Sequence, residues 1–322
     1  MPPSWDTEQM PDCTEKNVLI TGANSGLGFE ATKAFAANGA TVVMACRSTD
    51  RGAEAANVIR ESIGDTGATL NVRQCDLASL DSIESFSAGV ERDYESLDVL
   101  CNNAGVMAIP REETDDGFER QLGVNHLGHF ALTGQLSELL VGNGTTSRIV
   151  THSSGAHEMG EMDFEDLHRE RSYGKWEAYG QSKLANLLFA YELQRRLEIA
   201  GITDAISVAC HPGYAATNLQ YRGPEASGSR LRLALMKAAN AVVAQSAEKG
   251  CLPLLYAATA PDVTGGEYYG PGGLLNMRGS PEKQTSSEAS YDESDAEKLW
   301  RRSEELTGTV FDFERLAERS GV

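Results

Sequence analysis

The sequence predicts an α/β fold: a single doubly wound parallel sheet of about seven strands with helices on both faces. Three observations carry that expectation. Short apolar, β-branched runs recur at 17–20, 41–46, 69–75, 97–101, 148–154, 205–210 and 266–269. Segments of helix length, with apolar residues at helical spacing, separate them. A turn rich in glycine, Gly22-Ala23-Asn24-Ser25-Gly26-Leu27-Gly28, lies between the first run and the first helical pattern. Parallel strands need crossovers of this length, whereas hairpins need only tight turns.

The 322 residues are enough for one large domain with a sizeable core. Residues 1–15 are polar and carry prolines, so an extended arm is expected there. Residues 16–322 read as a single domain, with a polar tail from about 271 and no internal repeat. No apolar run approaches the ~20 residues of a membrane span. The N-terminus lacks the basic-then-apolar order of a signal peptide, and a cytoplasmic protein is expected. The six cysteines, Cys13, Cys46, Cys75, Cys101, Cys210 and Cys251, include no C-x-x-C pair. They read as buried free thiols, with no metal site. There are 28 basic residues against 47 acidic ones, a net charge of −19. Such a surface repels nucleic acid and anionic membranes. Only 8 of the cations are lysines and 20 are arginines. Dense acidic charge with little lysine fits a halophile's cytoplasm; the alternative is an ordinary acidic protein from an arginine-using organism.

The elements follow in order. Residues 17–20 end in the glycine turn, and a helix with Ala31, Phe35 and Ala36 follows. Strand, glycine turn and helix make the first half of a dinucleotide-binding, Rossmann-type unit. Gly22, Gly26 and Gly28, with Asn24, Ser25 and Leu27 between them, let the backbone approach a pyrophosphate at the helix N-terminus. Strand 41–46 ends in Arg47-Ser48 with no acidic residue. An acidic side chain there would hold the adenosine 2′-hydroxyl, whereas Arg47 offers a permanently charged donor fork to a 2′-phosphate. NADP(H) is therefore expected in preference to NAD. Helix 49–63 and strand 69–75 lead to Asp76-Leu77, where Asp76 either caps the next helix, 79–94, or hydrogen-bonds adenine. After 97–101 come Asn102-Asn103-Ala104-Gly105. Small and amide residues here allow close cofactor approach, and a plain asparagine turn is the other reading. A helix with Phe118, Leu122, Val124, Leu127 and Phe130 carries Asn125 on or near its apolar face. A buried amide needs partners, either backbone groups or a water that relays protons.

Strand 148–154 ends in Ser153 and Ser154. Helix 174–200 opens with Tyr179-x-x-x-Lys183, whose two side chains lie one above the other on a helix face. Free tyrosine titrates near pH ~10, and an ammonium alongside is expected to pull that value down. The phenol can then exchange a proton with a substrate oxygen. Between these elements, 156–175 reads as a loop over the site. Strand 205–210 is followed by His211-Pro212-Gly213. Residues 221–230 are rich in Gly, Ser and Arg, and 231–243 is apolar and helical, a lid helix or a membrane-surface helix. Both 156–175 and 221–243 are expected to close over substrate. Helix 245–260, strand 266–269 and helix 293–306 complete the chain.

From about residue 16 to about residue 270 the chain resembles the short-chain dehydrogenase/reductase family. The stretches that carry the likeness are Thr21-Gly22-x-x-x-Gly26-x-Gly28, Asn102-Asn103-Ala104-Gly105, Asn125, Ser154, Tyr179-x-x-x-Lys183 and His211-Pro212-Gly213. A closer resemblance, to the retinol-dehydrogenase-like and protochlorophyllide-reductase-like branch, rests on three stretches. They are Ala45-Cys46-Arg47, Asn125-His126-Leu127-Gly128-His129-Phe130 and Ser182-Lys183-Leu184-Ala185-Asn186. The resemblance implies that Tyr179 is the general acid/base and that Lys183 lowers its pKa and holds the nicotinamide ribose. It further implies that Ser154 steadies the substrate oxygen and that Asn125 orders a relay water. Asp76, Leu77, Asn103, Ala104, Gly105, Pro212 and Gly213 are implied as cofactor contacts. The implied activity is hydride transfer between NADP(H) and a lipophilic alcohol or carbonyl compound, in a homodimer or homotetramer. The alternative is a catalytically silent nucleotide-sensing or scaffold protein on the same fold, which has no need of an intact Asn, Ser, Tyr and Lys set.

Thermal melts decide between the two readings of the charge. A halophile's surface gains stability as potassium chloride rises from about 0.1 M to about 3 M, past the roughly 1 M at which screening is nearly complete. A midpoint that is unchanged or lower in the concentrated salt makes the charge incidental.

Overall fold

Strand β1 (Asn17–Thr21) shows why the sheet is buried on both faces. Its Val18 and Ile20 join Phe35, Ile59 and Leu254 in one apolar cluster, and Leu19 joins Phe86, Phe130 and Trp300 in the other. Alternate residues of a strand point to opposite faces, so a strand covered on both sides must be apolar throughout. The computed structural model describes residues 5–213, 246–273 and 276–322.

After β1 come α1 (Gly26–Ala37), β2 (Thr41–Cys46), α2 (Thr49–Ile63), β3 (Thr69–Gln74), α3 (Leu80–Asp93) and β4 (Val99–Asn102). The short α4 (Arg120–Leu122), a π-helical turn Gly123–Leu127 and α5 (Gly128–Gln135) follow, in place of one expected helix. Then come β5 (Ser147–His152), α6 (Lys175–Ile199) and β6 (Ala205–Cys210). The helix expected at 245–260 is divided into α7 (Ala247–Gly250) and α8 (Leu252–Thr259). Pro253 sits at the start of α8 and has no N–H to continue the preceding turn. The chain closes with β7 (Tyr268–Pro271), β8 (Pro281–Gln284), α9 (Glu293–Thr307) and α10 (Phe313–Ser320).

Among the described residues the sheet has eight strands in the order β3-β2-β1-β4-β5-β6-β7-β8. All neighbours pair in parallel except β7 and β8. The order reverses between β1 and β4, which opens a crevice at the carboxyl ends of the strands. The strand beyond the expected seven is β8. Its sequence, Pro-Glu-Lys-Gln, has no apolar pattern, and an edge strand with Pro and Lys needs none.

Both chain ends are more structured than their composition indicated. In the N-terminal arm, Asp6 caps a single turn at Thr7–Gln9, Met10 and Cys13 are buried, and the Trp5 ring meets Tyr256 edge-on at 5.1 Å. In the expected polar tail, α9 packs on α6 and buries Trp300 against Phe130, Phe189 and Phe311, at centroid distances of 5.1, 5.9 and 4.7 Å. The Arg196 guanidinium lies 4.5 Å from the Trp300 ring centroid, and the indole N–H donates to Glu304 at 2.9 Å. The six cysteines are buried and unpaired. Among the described residues no helix is long and apolar enough to cross a membrane. The segment 221–243 lies outside the described residues.

Because Trp300 is a core residue, Trp300→Ala is expected to lower unfolding free energy by about 3–5 kcal/mol. Denaturant titration measures it, and a loss under about 1 kcal/mol, the scale of ordinary surface substitutions, returns the C-terminal helices to the status of a loose tail.

Candidate active site

A cleft of about 510 Å³ opens where the strand order reverses. Its floor is the turn after β1: Gly22, Asn24, Ser25, Gly26, Leu27 and Gly28. Its walls are Arg47 and Ser48 after β2, Asp76 and Leu77 after β3, and Asn103, Ala104 and Gly105 after β4. The turn is closed tightly. Gly22 has φ +67°, and a Cβ on Gly28 would come within 2.4 Å of the Gly22 carbonyl oxygen. Ser25, the residue before α1, makes no side-chain cap, so the first N–H groups of that helix face the cleft without a side-chain acceptor. Asn103 holds the turn in place by donating to the Thr21 carbonyl at 2.8 Å.

Asp76 is not the cap of α3. Ser79 takes that place, accepting from Ser82 N, and Asp76 instead accepts from Ala78 N at 3.1 Å on the cleft wall. Three charged residues that the sequence did not single out also line the cleft: Arg51, Glu54 and Arg120. Arg51 lies in the first turn of α2, which Ser48 caps. Its spacing of four from Arg47, across a strand-to-helix junction, was the available signal. Tyr179, Lys183, Pro212 and Gly213 do not line the cleft. Its inner end abuts the lysine, however, because a Cβ on Gly105 would lie 3.6 Å from Lys183 Nζ and 3.0 Å from Asn125 Oδ1.

Asn125 sits inside the π-helical turn. Its amide nitrogen donates to the Val106 carbonyl at 3.0 Å and to Ser182 Oγ at 2.9 Å, and its Oδ1 accepts from Val106 N at 2.8 Å. Its main-chain carbonyl meets His129 Nδ1 at 3.0 Å. Burial holds His129 at about 4, so the ring is neutral. The Asn125 side chain thus bonds the Val106 backbone and the Ser182 hydroxyl.

The two serines after β5 separate cleanly. Ser153 is buried and donates to the Lys183 carbonyl at 2.8 Å, which pins the strand to α6. Ser154 accepts from Ala156 N at 3.2 Å, and its hydroxyl acts on the Tyr179 phenol to favour the phenolate. Lys183 Nζ donates to the His152 carbonyl at 3.0 Å, and Asn186 donates to the same oxygen at 2.8 Å. The ammonium lies 5.8 Å from the Tyr179 ring centroid.

The expected depression of the tyrosine is not found. Burial pushes Tyr179 up to about 12, and the Ser154 hydrogen bond draws it back only in part. Burial pulls Lys183 down to about 8. Both charged forms are disfavoured by the same low-dielectric surroundings. At neutral pH Tyr179 keeps its proton and Lys183 is mostly ammonium.

The loop 156–175 is tied down. His157 bonds the Ser154 carbonyl at 2.7 Å and accepts from Ser287 N at 3.1 Å, and the Leu167 carbonyl accepts from Gln181 at 2.9 Å. Two large apolar side chains beside the site stay open to solvent, Met159 at 62% and Trp176 at 50%. The Trp176 ring meets Tyr179 edge-on at 6.1 Å. At the end of β6, His211 meets Gln284 Oε1 at 2.8 Å and accepts from Gly213 N at 3.2 Å, which fixes the His211-Pro212-Gly213 turn.

The sequence profile of the short chain dehydrogenases matches residues 16–226. The chain belongs to the short-chain dehydrogenase family. It is 41% identical over 305 residues to mouse retinol dehydrogenase 14, covering 92% of this chain and 86% of that protein. It is 40% identical over 297 residues to human retinol dehydrogenase 13, covering 91% of this chain and 85% of that one. A crystal structure of an uncharacterized protein from Mycobacterium paratuberculosis is similar over 96% of this chain and 99% of its own. There the TM-score is 0.78 and the identity 41%. The retinol-dehydrogenase-like resemblance read from the motifs therefore extends over most of this dehydrogenase's length.

Proposed function

We propose that this short-chain dehydrogenase is an NADP(H)-dependent oxidoreductase acting on a lipophilic alcohol or carbonyl compound. The observation that carries the reading is a buried Tyr179 that keeps its proton with the Ser154 hydroxyl acting on it, near a glycine-floored cleft whose inner end abuts Lys183. The closed glycine turn and the uncapped start of α1 fit a pyrophosphate. The chemistry a bound nicotinamide dinucleotide supplies is hydride exchange with the substrate carbon.

The chain's own residues do the rest. In reduction, Tyr179 gives its proton to the substrate oxygen, and in oxidation it takes that proton back. Ser154 hydrogen-bonds the same oxygen and holds it within reach of the phenol. Lys183, fixed by the His152 carbonyl, stabilises the phenolate left behind, and its value of about 8 suits a group that passes protons near neutrality. Asn125 holds Val106 and Ser182 around this pair. Arg47 and Arg51 supply cations where a 2′-phosphate would lie, and Asp76 is free to meet adenine with its remaining acceptor sites. Exposed Trp176 and Met159 favour an apolar substrate body next to Tyr179.

The direct test is NADPH-dependent reduction of a panel of aldehydes, ketones and quinones. Tyr179→Phe is expected to lose at least ~10²-fold in turnover with NADPH binding retained. Activity within about threefold of the parent overturns the tyrosine's role, and a parent that turns over none of the panel favours a silent nucleotide-binding protein. The rate of reduction is expected to fall as pH rises through about 8, where Lys183 loses its charge while Tyr179 still holds its proton.

Cofactor choice is tested separately. A charge-assisted hydrogen bond contributes ~1.5–3 kcal/mol, or about 10- to 150-fold in affinity. Salt and solvent reduce that for an exposed pair, so a preference near the lower end is expected. In kcat/KM, NADPH should exceed NADH in the parent, and Arg47→Ala and Arg51→Ala should each erode that advantage while the NADH value barely moves. A parent that favours NADH, or arginine variants that lower both cofactors equally, refutes the assignment.

A further inference from the structure

A buried polar cluster that lies outside the cofactor cleft joins the segments framing the site. Its centre is Gln121 in α4, which is fully buried. The Gln121 amide makes three hydrogen bonds to three separate places. Oε1 accepts from Ala108 N at 2.7 Å, and Nε2 donates to Tyr173 Oη at 2.8 Å and to the Lys175 carbonyl at 3.0 Å. Ala108 follows the stretch from Asn103 to Val106 that lines the cleft. Lys175 begins α6, one turn before Tyr179. One side chain therefore links the cleft-lining loop to the base of the helix that carries Tyr179 and Lys183.

Two further observations indicate that this link is under tension and deliberately held. Ala108 has φ +48°, a left-handed conformation that glycine takes freely and alanine takes only when its surroundings impose it. Its N–H is the one that Gln121 binds. Next to it, the almost fully buried Glu119 carboxylate accepts from Gln121 N at 3.0 Å, Leu122 N at 2.7 Å and Tyr173 Oη at 3.1 Å. Tyr173 Oη also reaches the Ile109 carbonyl at 3.1 Å. A buried carboxylate is unfavourable unless closed by donors, and here Gln121 and Tyr173 supply two of the three.

We propose that Gln121 is a positioning residue for the reaction. It holds the strained turn at Ala108 and the first turn of α6 at a fixed separation. Gly105 and Val106 thereby stay in register with Asn125 and Lys183, and Glu119 and Tyr173 keep the Gln121 amide oriented. Gln121 acts through its neighbours and touches no reacting atom. The inference rests on the oxidoreductase reading above. Its substance is geometric, since displacement of a reacting group by an ångström can cost a reaction ~10²-fold.

The test uses the full chain with NADPH and whichever carbonyl substrate the parent reduces. Gln121→Leu removes the three hydrogen bonds at similar volume, and Tyr173→Phe removes a single hydroxyl. Gln121→Leu is expected to lower kcat about tenfold or more, with the NADPH Kd, measured by calorimetry, within about threefold of the parent. Tyr173→Phe is expected to show the same split with a smaller loss, and it serves as the test should Gln121→Leu not fold. Ala108→Gly alone is expected to be nearly silent. Placed in the Gln121→Leu or Tyr173→Phe background, it is expected to restore most of the lost kcat, because glycine takes φ +48° without strain and needs no hydrogen bond to impose it. A merely structural role predicts no such rescue. The proposal is overturned if kcat stays within about twofold in both variants, if kcat and NADPH affinity fall together, or if Ala108→Gly rescues nothing. A parent with no turnover overturns the oxidoreductase reading and this one with it; an active parent with an indifferent Gln121 overturns this one alone.

Discussion

Helix α6 is the constraint on which the rest of the structure depends. Every residue from Ala178 to Gln194 is buried, so the helix has no solvent face along that length. A helix enclosed on all sides must satisfy each polar side chain internally. Gln181 binds the Leu167 carbonyl, Ser182 binds Asn125, and Lys183 and Asn186 share the His152 carbonyl. Gln194 accepts from Ser207 N on β6, and Glu192 pairs with Arg195 and Arg196. These bonds fasten the helix to β5, β6, the π-helical turn and the loop after β5. The same bonds fix where Tyr179 and Lys183 stand. The site is thus a consequence of how one enclosed helix is satisfied.

Burial also sets the site's electrostatics. Tyr179 is raised, Lys183 is lowered, and His126, His129 and His152 are held at about 3, 4 and 3, all with burial as the first cause. A cluster of imidazoles near the site is therefore neutral across the physiological range. Neutral His129 bonds the Asn125 carbonyl, and His152 bonds Asn103 at 3.1 Å. Lys183 is left as the group closest to changing charge near neutrality, in a surrounding where that charge carries far. This differs from what residue spacing implied. A charged lysine one turn from a tyrosine lowers its pKa only if its attraction for the phenolate exceeds the cost of desolvating that phenolate.

The ends of the chain do similar work on the outside of the sheet. Trp5 and Met10 cover one face, and Trp300, Phe311 and Leu316 complete the apolar cluster on the other. Their neighbours in sequence are mostly polar or charged, which is why composition read both regions as polar. An amphipathic segment needs only one narrow stripe to dock, and a stripe of one large aromatic per turn is faint in a polar background.

The sequence by itself determined the alternation of strands and helices, the glycine turn, the arginine after β2 and the Ser, Tyr and Lys set. Several boundaries agree with the structure, among them Thr41–Cys46, Thr49–Ile63 and Ala205–Cys210. These features are local: apolar period, turn chemistry and motif spacing are written in consecutive residues. The tertiary structure alone decided the rest. It chose Ser79 over Asp76 as the cap of α3, brought Arg51 to the cleft and broke the helix around Asn125 into a π turn. It also added β8, whose pairing with β7 no pattern within Pro281–Gln284 announces. Each of these depends on partners distant in sequence. Hydrogen-bond satisfaction and desolvation are properties of a three-dimensional neighbourhood, and no window of consecutive residues contains one.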